Sequence, residues 1–233
     1  MINWKKYFDH IFILSRCSNF DRRGKLNQEL KRIGLYDYVT YLYQPDSELL
    51  TYDGYKNPYM TKAKVRCNYA HYSCIKMAYE LNYDNILICE DDIVFYKDIN
   101  KIKELLEEFY NNRDNYNIYL FDYISKEDQK ILMDENEGNG VLCAGCYYLD
   151  IKGMKYLIYC LENFKELFND SFFYTVIDKY YGLTITYYLD GFSEIINIPM
   201  EENLLPITIR HCNEHMVQQK SFIDDEEKNL YGE

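Results

Sequence analysis

The stretch Ile86-Leu87-Ile88-Cys89-Glu90-Asp91-Asp92-Ile93-Val94-Phe95 sets three consecutive carboxylates between two apolar runs. The first run is short and continuously apolar, which predicts a buried strand over residues 85–89. Ligands of open α/β sheets bind outside the carboxyl ends of the strands, so the carboxylates occupy a position that suits a binding site. Because side chains alternate along a strand, we expect Glu90 and Asp92 on one face and Asp91 on the other.

The acidic triplet (Glu90, Asp91 and Asp92) needs a positive partner where apolar runs enclose it. Like charges repel each other, and a buried charge is costly without a counter-charge. Mn²⁺ and Mg²⁺ prefer oxygen ligands, and Mg²⁺-type ions bind through one or two carboxylates together with substrate phosphates. The triplet therefore predicts a divalent-cation site that would hold a diphosphate. The simpler alternative is a triplet that caps the next segment or faces water.

Strand-like and helix-like segments alternate on both sides of the triplet. The apolar patterns predict further strands at 10–14, 38–43, 116–121, 141–149 and 183–188, and helices at 21–33, 64–82, 99–110, 151–161 and 171–181. The apolar face of the helix at 64–82 has 3–4 residue spacing and comprises Cys67, Ala70, His71, Cys74, Ile75, Ala78 and Leu81. This alternation predicts an α/β fold with a mostly parallel sheet that helices cover on both faces.

The bulk composition limits the function classes. The chain has 233 residues, which suits a single domain, and a net charge of -12. A nucleic-acid partner would require a basic stripe, so we expect none. The 27 tyrosines fit a codon bias, a sugar-binding cleft lined by aromatic rings, or both. No apolar run is long enough for a transmembrane helix and no signal peptide is evident, so we expect a cytoplasmic protein with reduced, buried cysteines.

Four segments carry a resemblance to a known family. They are Ile11-Phe12-Ile13-Leu14 with Asp21-Arg22-Arg23, then Cys67-Asn68-Tyr69-Ala70-His71, then Ile88-Cys89-Glu90-Asp91-Asp92, and finally Ala144-Gly145-Cys146-Tyr147-Tyr148-Leu149 with Ile151-Lys152-Gly153-Met154-Lys155-Tyr156-Leu157. In that order they resemble the opening strand and L-x-x-x-x-R-R turn, the G-C-x-x-S-H helix start, the I-L-E-D-D motif and the strand with K-G-A-K-K-L helix of glycosyltransferase family 25. Val176-Ile177-Asp178 is similar to a late P-V-D segment of the same family.

The resemblance implies a GT-A-like, Rossmann-like fold with a mostly parallel mixed sheet flanked by helices. It implies one domain over 1–233, with a donor half to about 125, an acceptor half over 126–215 and an acidic tail over 216–233. The implied reaction is a metal-dependent, inverting transfer of a hexose, galactose or glucose, from a nucleotide-diphosphate sugar such as a UDP-hexose. The implied acceptor is a hydroxyl of a glycan, glycolipid or glycoprotein, and the implied cofactor is Mn²⁺ or Mg²⁺.

Within the triplet, Asp92 is the predicted metal ligand and a predicted catalytic residue. Glu90 or Asp91 is expected to contact the metal or the ribose and sugar hydroxyls of the donor. His211 is a candidate third metal ligand, because GT-A enzymes often recruit a late histidine. Asp178 is the candidate general base or acceptor-positioning residue; a surface aspartate is its alternative. Asp190 is a second candidate, which a simple turn aspartate also explains.

Two arginines and one histidine are further candidates for donor binding. Arg22 and Arg23 follow the first strand, where they would bind phosphates or form a charged helix face. His71 lies on a predicted apolar helix face, which favours a core histidine, whereas the family resemblance favours the donor pocket. The spacing of Cys67, His71 and Cys74 also suggests zinc, but a fourth ligand is missing and the face is apolar.

Departures from the family pattern keep two other functions open. The chain has Ala63-Lys64 where the family tends to have Gly-Glu, and Ala70 where it has serine. These changes favour a non-catalytic sugar- or nucleotide-binding descendant of the fold. The acidic cluster would also serve a different metal-dependent phosphotransferase or hydrolase, which predicts basic residues near the triplet.

Overall fold

The described residues form four α-helices and ten strands. The structure is a computed structural model that describes residues 2–44, 62–122, 145–164, 183–189, 192–198, 209–211 and 216–219. The helices are α1 (Phe20–Arg32), α2 (Lys62–Glu80), α3 (Ile99–Asn112) and α4 (Ile151–Phe164). The strands are β1 (His10–Arg16), β2 (Val39–Gln44), β3 (Asn85–Glu90), β4 (Ile93–Phe95), β5 (Ile118–Leu120), β6 (Cys146–Asp150), β7 (Leu183–Leu189), β8 (Phe192–Ile198), β9 (Ile209–His211) and β10 (Val217–Gln219).

A six-stranded sheet in the order β2-β1-β3-β6-β5-β9 forms the centre of the fold. The pairs β1–β2, β1–β3 and β5–β9 are parallel, whereas β6 runs antiparallel to both β3 and β5. The sheet is therefore mixed, and the α/β class expected from the sequence is confirmed. Two-stranded antiparallel pairings join β4 with β10 and β7 with β8.

Apolar side chains pack on both faces of β3. Leu87 and Cys89 belong to a core cluster that includes Leu26 and Leu30 of α1 and Phe109 of α3. The alternate residues of β3 belong to a second cluster that contains residues of α2 and α4. Its buried members from these elements are Ile86, Ile88, Ala70, Cys74, Ile75, Ala78, Met154, Tyr156 and Leu157. Burial on both faces explains why the strand is continuously apolar, and it fixes the faces on which the carboxylates after the strand emerge.

Two glycines in the fold have a clear steric role. Gly34 follows α1 with a φ of 71°, a left-handed conformation that ends the helix as the sequence predicts. Gly153 lies in the first turn of α4, where a Cβ atom would come within 2.3 Å of the Asn117 carbonyl oxygen. Its amide donates to Asp150 Oδ1 at 2.6 Å, and Asn117 donates to the other oxygen of the same carboxylate at 2.8 Å. Gly153 therefore allows the start of α4 to pack against Asn117 and the end of β6.

Several expectations need correction in detail. Leu81 was expected on the apolar face of α2, but it follows the end of the helix and is exposed. Cys74, Cys89 and Cys146 are buried as expected, whereas Cys17 and Cys67 are exposed. The acidic tail was expected from residue 216, yet Met216 and Val217 are fully buried and 217–219 pair with β4. The helix expected at 171–181 and the start of the strand expected at 141–149 lie outside the described residues.

Candidate functional site

The acidic triplet lies at the carboxyl end of β3, near the middle of the sheet. Glu90 is the last residue of β3 and is paired with Leu14 of β1. Asp91 and Asp92 form the turn that leads into β4. The position of the triplet that the sequence predicts is therefore confirmed, and its three side chains have three different environments.

Asp91 is buried and connects the triplet to the loop between β1 and α1. Ser15 Oγ donates to Asp91 Oδ2 at 2.5 Å, and Asn19 Nδ2 donates to the same oxygen at 2.9 Å. Arg22 Nη1 lies 3.6 Å from the other oxygen, Oδ1. These donors satisfy the carboxylate from one side, so Asp91 holds the β1–α1 loop beside the triplet.

Asp92 is only partly compensated. Arg22 Nη1 donates to Asp92 Oδ2 at 3.0 Å, from a guanidinium that is more than half exposed. The second oxygen, Oδ1, is buried and has no hydrogen-bond partner among the residues that the structure describes. Burial, and then the nearby Glu90 carboxylate, raise the pKa of Asp92 to about 6, although Arg22 acts in the opposite direction. A carboxylate in this state is stabilised by a cation at Oδ1.

Glu90 points towards α2 and is held as an anion. His71 Nε2 lies 3.0 Å from Glu90 Oε1, and the Cys67 thiol donates to the same oxygen at 3.4 Å. Burial alone would raise the pKa of Glu90, but His71, Cys67 and Arg22 outweigh it and hold the pKa below its usual value. Glu90 therefore keeps its negative charge at a lower pH than Asp92 does, whereas Asp92 supplies the uncompensated oxygen.

His71 lies between Glu90 and the core. Its Nδ1 atom is 2.7 Å from the hydroxyl of Tyr147 on β6, and both side chains are buried. The sequence favoured a core histidine with the donor pocket as the alternative. In the structure one ring nitrogen of His71 faces the core and the other faces the triplet, and its role in donor binding stays a prediction.

Arg23 stabilises the loop after β1 through hydrogen bonds. Its guanidinium donates to Ser15 Oγ at 3.0 Å, to Cys17 O at 2.8 Å and to Arg16 O. It also lies over the rings of Phe20 and Tyr43, at 4.7 and 5.1 Å from their centroids. Of the two arginines expected to bind phosphates, Arg22 is the one that contacts the triplet, and Arg23 supports the loop that carries it.

The structure brings together the triplet, Arg22, Arg23 and His71, and the side chains of the remaining candidates are not among those it describes. Asp178 and Asp190 lie outside the described residues. His211 is the last residue of β9 and pairs with Leu120 of β5, but its side chain is not among those described. His211 as a metal ligand and Asp178 as a base therefore stay predictions.

Sequence reasoning missed four residues at this edge of the sheet. Ser15, Asn19 and Tyr147 contact the triplet or its histidine, and Asp122 is a buried acid that follows β5. β5 runs in the same direction as β3, because both are antiparallel to β6 between them. A carboxylate directly after an apolar strand was the signal for Asp122, as it was for the triplet.

The fold and the site define an α/β protein with a carboxylate cluster at the carboxyl end of a central strand. The profile of glycosyltransferase family 25, described as LPS biosynthesis protein, matches residues 8–174. This match covers most of the sequence, and the chain belongs to glycosyltransferase family 25. The resemblance read from the four sequence segments is thereby confirmed, as is the glycosyltransferase class.

Comparison with solved structures gives a glycosyltransferase involved in the glycosylation of the major capsid of PBCV-1. The identity is 11%, the TM-score is 0.34, and the match covers 66% of this chain and 68% of the other. A comparison with curated proteins finds no significant match. Among the described residues, no helix has both the length and the apolar character that crossing a bilayer requires.

Proposed function

We propose that the protein transfers a hexose from a nucleotide-diphosphate sugar, such as a UDP-hexose, to an acceptor hydroxyl, using Mn²⁺ or Mg²⁺ held by Asp92 and Glu90. One observation carries the metal assignment. Asp92 Oδ1 is buried, has no partner among the described residues, and belongs to a carboxylate whose pKa is raised to about 6. Carboxylate oxygens are the ligands that these cations prefer, so the donor set fits a hard divalent ion.

The bound cation would act as a Lewis acid that neutralises the charge of the departing diphosphate. Side chains of the protein would supply the other interactions with the donor. Arg22 extends its exposed guanidinium beside Asp92, where it would bind a donor phosphate in a charge-assisted hydrogen bond. Asp91, Ser15 and Asn19 fix the loop that leads into the helix carrying Arg22. The geometry of donor binding would thus depend on the contact between Asp91 and the β1–α1 loop.

The acceptor proton needs a base on the far side of the anomeric carbon. Asp178 is the proposed base, and His211 is the proposed additional metal ligand. A single displacement with one base gives inversion at the anomeric carbon, with the acceptor oxygen attacking as the diphosphate leaves. A glycan, glycolipid or glycoprotein hydroxyl is the proposed acceptor.

The non-catalytic alternative loses one of its two supporting features. Ala70, which replaces a serine of the family pattern, is only 4% exposed and packs in the core cluster beneath α2. A change from serine to alanine at a buried position is explained by packing and removes no group from the triplet. The transferase therefore remains the better-supported proposal.

Thermal unfolding with a panel of nucleotide sugars, in Mn²⁺, in Mg²⁺ and in EDTA, tests the proposal. A donor at 100 times its Kd adds about 2.7 kcal/mol to the free energy of unfolding. We expect one nucleotide sugar to stabilise the protein only with metal, and to be hydrolysed slowly to its nucleoside diphosphate. Metal-dependent binding without any turnover would instead support a non-catalytic descendant, and indifference to every nucleotide sugar would contradict the proposal.

A further inference from the structure

One turn of α2 presents two metal-binding side chains to the triplet. Cys67 and His71 are four residues apart, so they lie on the same face of the helix. Both contact Glu90 Oε1, the thiol at 3.4 Å and His71 Nε2 at 3.0 Å. The sulfur, nitrogen and oxygen atoms all lie within 4.8 Å of one another. The cluster differs from the zinc site considered from the sequence, because Cys74 is buried in the core and Glu90 takes its place.

The two separations to Glu90 Oε1 are close to those within a zinc coordination sphere. Zinc binds sulfur at about 2.3 Å and nitrogen or oxygen at about 2.0 to 2.2 Å. Two ligands of a tetrahedron with these bond lengths are about 3.3 to 3.7 Å apart. The two measured separations to Glu90 Oε1 lie at or near this range, so small side-chain movements are enough to admit a zinc ion.

Tyr147 gives His71 the outer contact that a metal-binding histidine requires. The Tyr147 hydroxyl lies 2.7 Å from His71 Nδ1 and can either donate or accept a hydrogen bond. In the tautomer with its proton on Nε2, His71 donates to Glu90 and accepts from the hydroxyl at Nδ1. In the other tautomer, Nδ1–H would donate to the hydroxyl and the Nε2 lone pair would face a bound cation, as in many zinc-binding histidines.

We propose that Cys67, His71 and Glu90 form a site for a thiophilic divalent cation such as Zn²⁺, which shares Glu90 with the carboxylate site at Asp92. The thiolate and imidazole select Zn²⁺ over Mn²⁺ and Mg²⁺, which prefer oxygen. Binding forms bonds from the cation to sulfur, nitrogen and oxygen, and the thiol proton leaves to solvent. Cys67 is exposed, so solvent water completes the coordination of three protein ligands.

The consequence for turnover rests on the proposed function. A cation bound through Cys67 and His71 draws Glu90 away from the Mn²⁺ or Mg²⁺ site. Zn²⁺ therefore inhibits transfer, and a rise in Mn²⁺ concentration relieves the inhibition because the two cations compete for one carboxylate. The site itself is independent of any activity.

Cobalt absorption spectroscopy of the full chain tests the site directly. Co²⁺ takes the same ligands as zinc, and a thiolate ligand gives a near-ultraviolet charge-transfer band. We expect one equivalent of Co²⁺ to produce this band in protein kept reduced with a non-thiol reductant, and Zn²⁺ to abolish it. Cys67→Ser should remove the band, while Tyr147→Phe should weaken Co²⁺ affinity about 10-fold or more through loss of the outer contact.

Two variants serve as controls. Cys17→Ser removes the other exposed thiol among the described cysteines and should leave the band unchanged. Asp92→Asn removes the proposed catalytic ligand and should also leave it unchanged. A missing band in the wild-type protein, or a band that survives Cys67→Ser in protein with an unaltered melting temperature, would overturn the proposal. A normal cobalt band without nucleotide-sugar binding would contradict the proposed transferase function and leave the zinc site standing.

Discussion

Asp91 and Asp92 are consecutive aspartates in one turn, yet their carboxylates have different surroundings. Asp91 faces the β1–α1 loop, where Ser15 and Asn19 both donate to it. Asp92 has one ion pair, with Arg22, and a buried oxygen that lacks a partner among the described residues. Folding therefore already satisfies Asp91, whereas the proposed cation would supply the stabilisation that Asp92 lacks. Asp91 thus stabilises the fold, whereas the next residue, Asp92, is a candidate metal ligand.

Asp92→Asn should produce the largest effect on activity. The variant keeps the size of the side chain but loses the negative charge that would hold the metal, so we expect kcat to fall about 1,000-fold. The stability of the metal-free protein should not fall, because the raised pKa shows that folding disfavours the charged form. Steady-state kinetics and denaturant unfolding measure the two effects.

Asp21→Asn is the matched control for this variant. Asp21 is exposed in the first turn of α1, so its loss changes net charge without touching the triplet. Its kinetics should remain those of the wild-type protein. An unchanged kcat in Asp92→Asn would contradict the assignment of Asp92 as a metal ligand. The proposed difference in role between Asp91 and Asp92 would then also fail.

Asp91→Ala should instead act on stability. Ser15 and Asn19 would lose their shared acceptor in a buried position, which costs about 3 kcal/mol in the free energy of unfolding. Asp91→Asn is the control, because one amide oxygen can still accept from both donors and the loss should be about 1 kcal/mol. Urea unfolding at constant pH gives both values, and equal losses in the two variants would show that charge rather than hydrogen bonding holds the loop.

The pH dependence of stability should reveal the unfavourable burial of the charged Asp92 carboxylate. Its pKa is about 6 in the folded protein and 3.8 ordinarily, so the folded state binds more protons between these values. The free energy of unfolding of the metal-free protein should then fall as pH rises from about 4 to about 6, by about 2 kcal/mol after allowance for solvent screening. Subtracting the curve of Asp92→Asn isolates this contribution from other titrating groups. A flat difference curve would mean that Asp92 is already compensated without metal.

The sequence predicted the parts of the site that depend on a single strand. The continuous apolar run of β3 and the alternation of its side chains were enough to place Glu90 and Asp91 on opposite faces. Accordingly, Glu90 meets His71 of α2, whereas Asp91 meets the loop before α1. Local periodicity carries this information because it depends only on backbone geometry.

Contacts between distant segments were not predictable in this way. The Ser15–Asp91 hydrogen bond joins residues 76 positions apart, and nothing local distinguishes Ser15 from an ordinary turn serine. The reversed direction of β6 was also missed, since a strand reads the same in either direction. β4 has three residues and pairs with β10 more than a hundred positions later, so neither strand has a recognisable pattern of its own.

Arg22→Gln should have the smallest effect on stability and a selective effect on the donor. The guanidinium lies 3.0 Å from Asp92 and 3.6 Å from Asp91, but it is 56% exposed, and exposed ion pairs contribute less than about 1 kcal/mol. Its loss should also raise the pKa of Asp92 further, because Arg22 is the group that lowers it. If Arg22 binds a donor phosphate, KM for the nucleotide sugar should rise about 10-fold with a smaller change in kcat. Lys25→Gln removes an exposed charge from the same helix and should change neither quantity. A stability loss as large as that of Asp91→Ala would show that Arg22, like Asp91, stabilises the fold rather than serving donor binding.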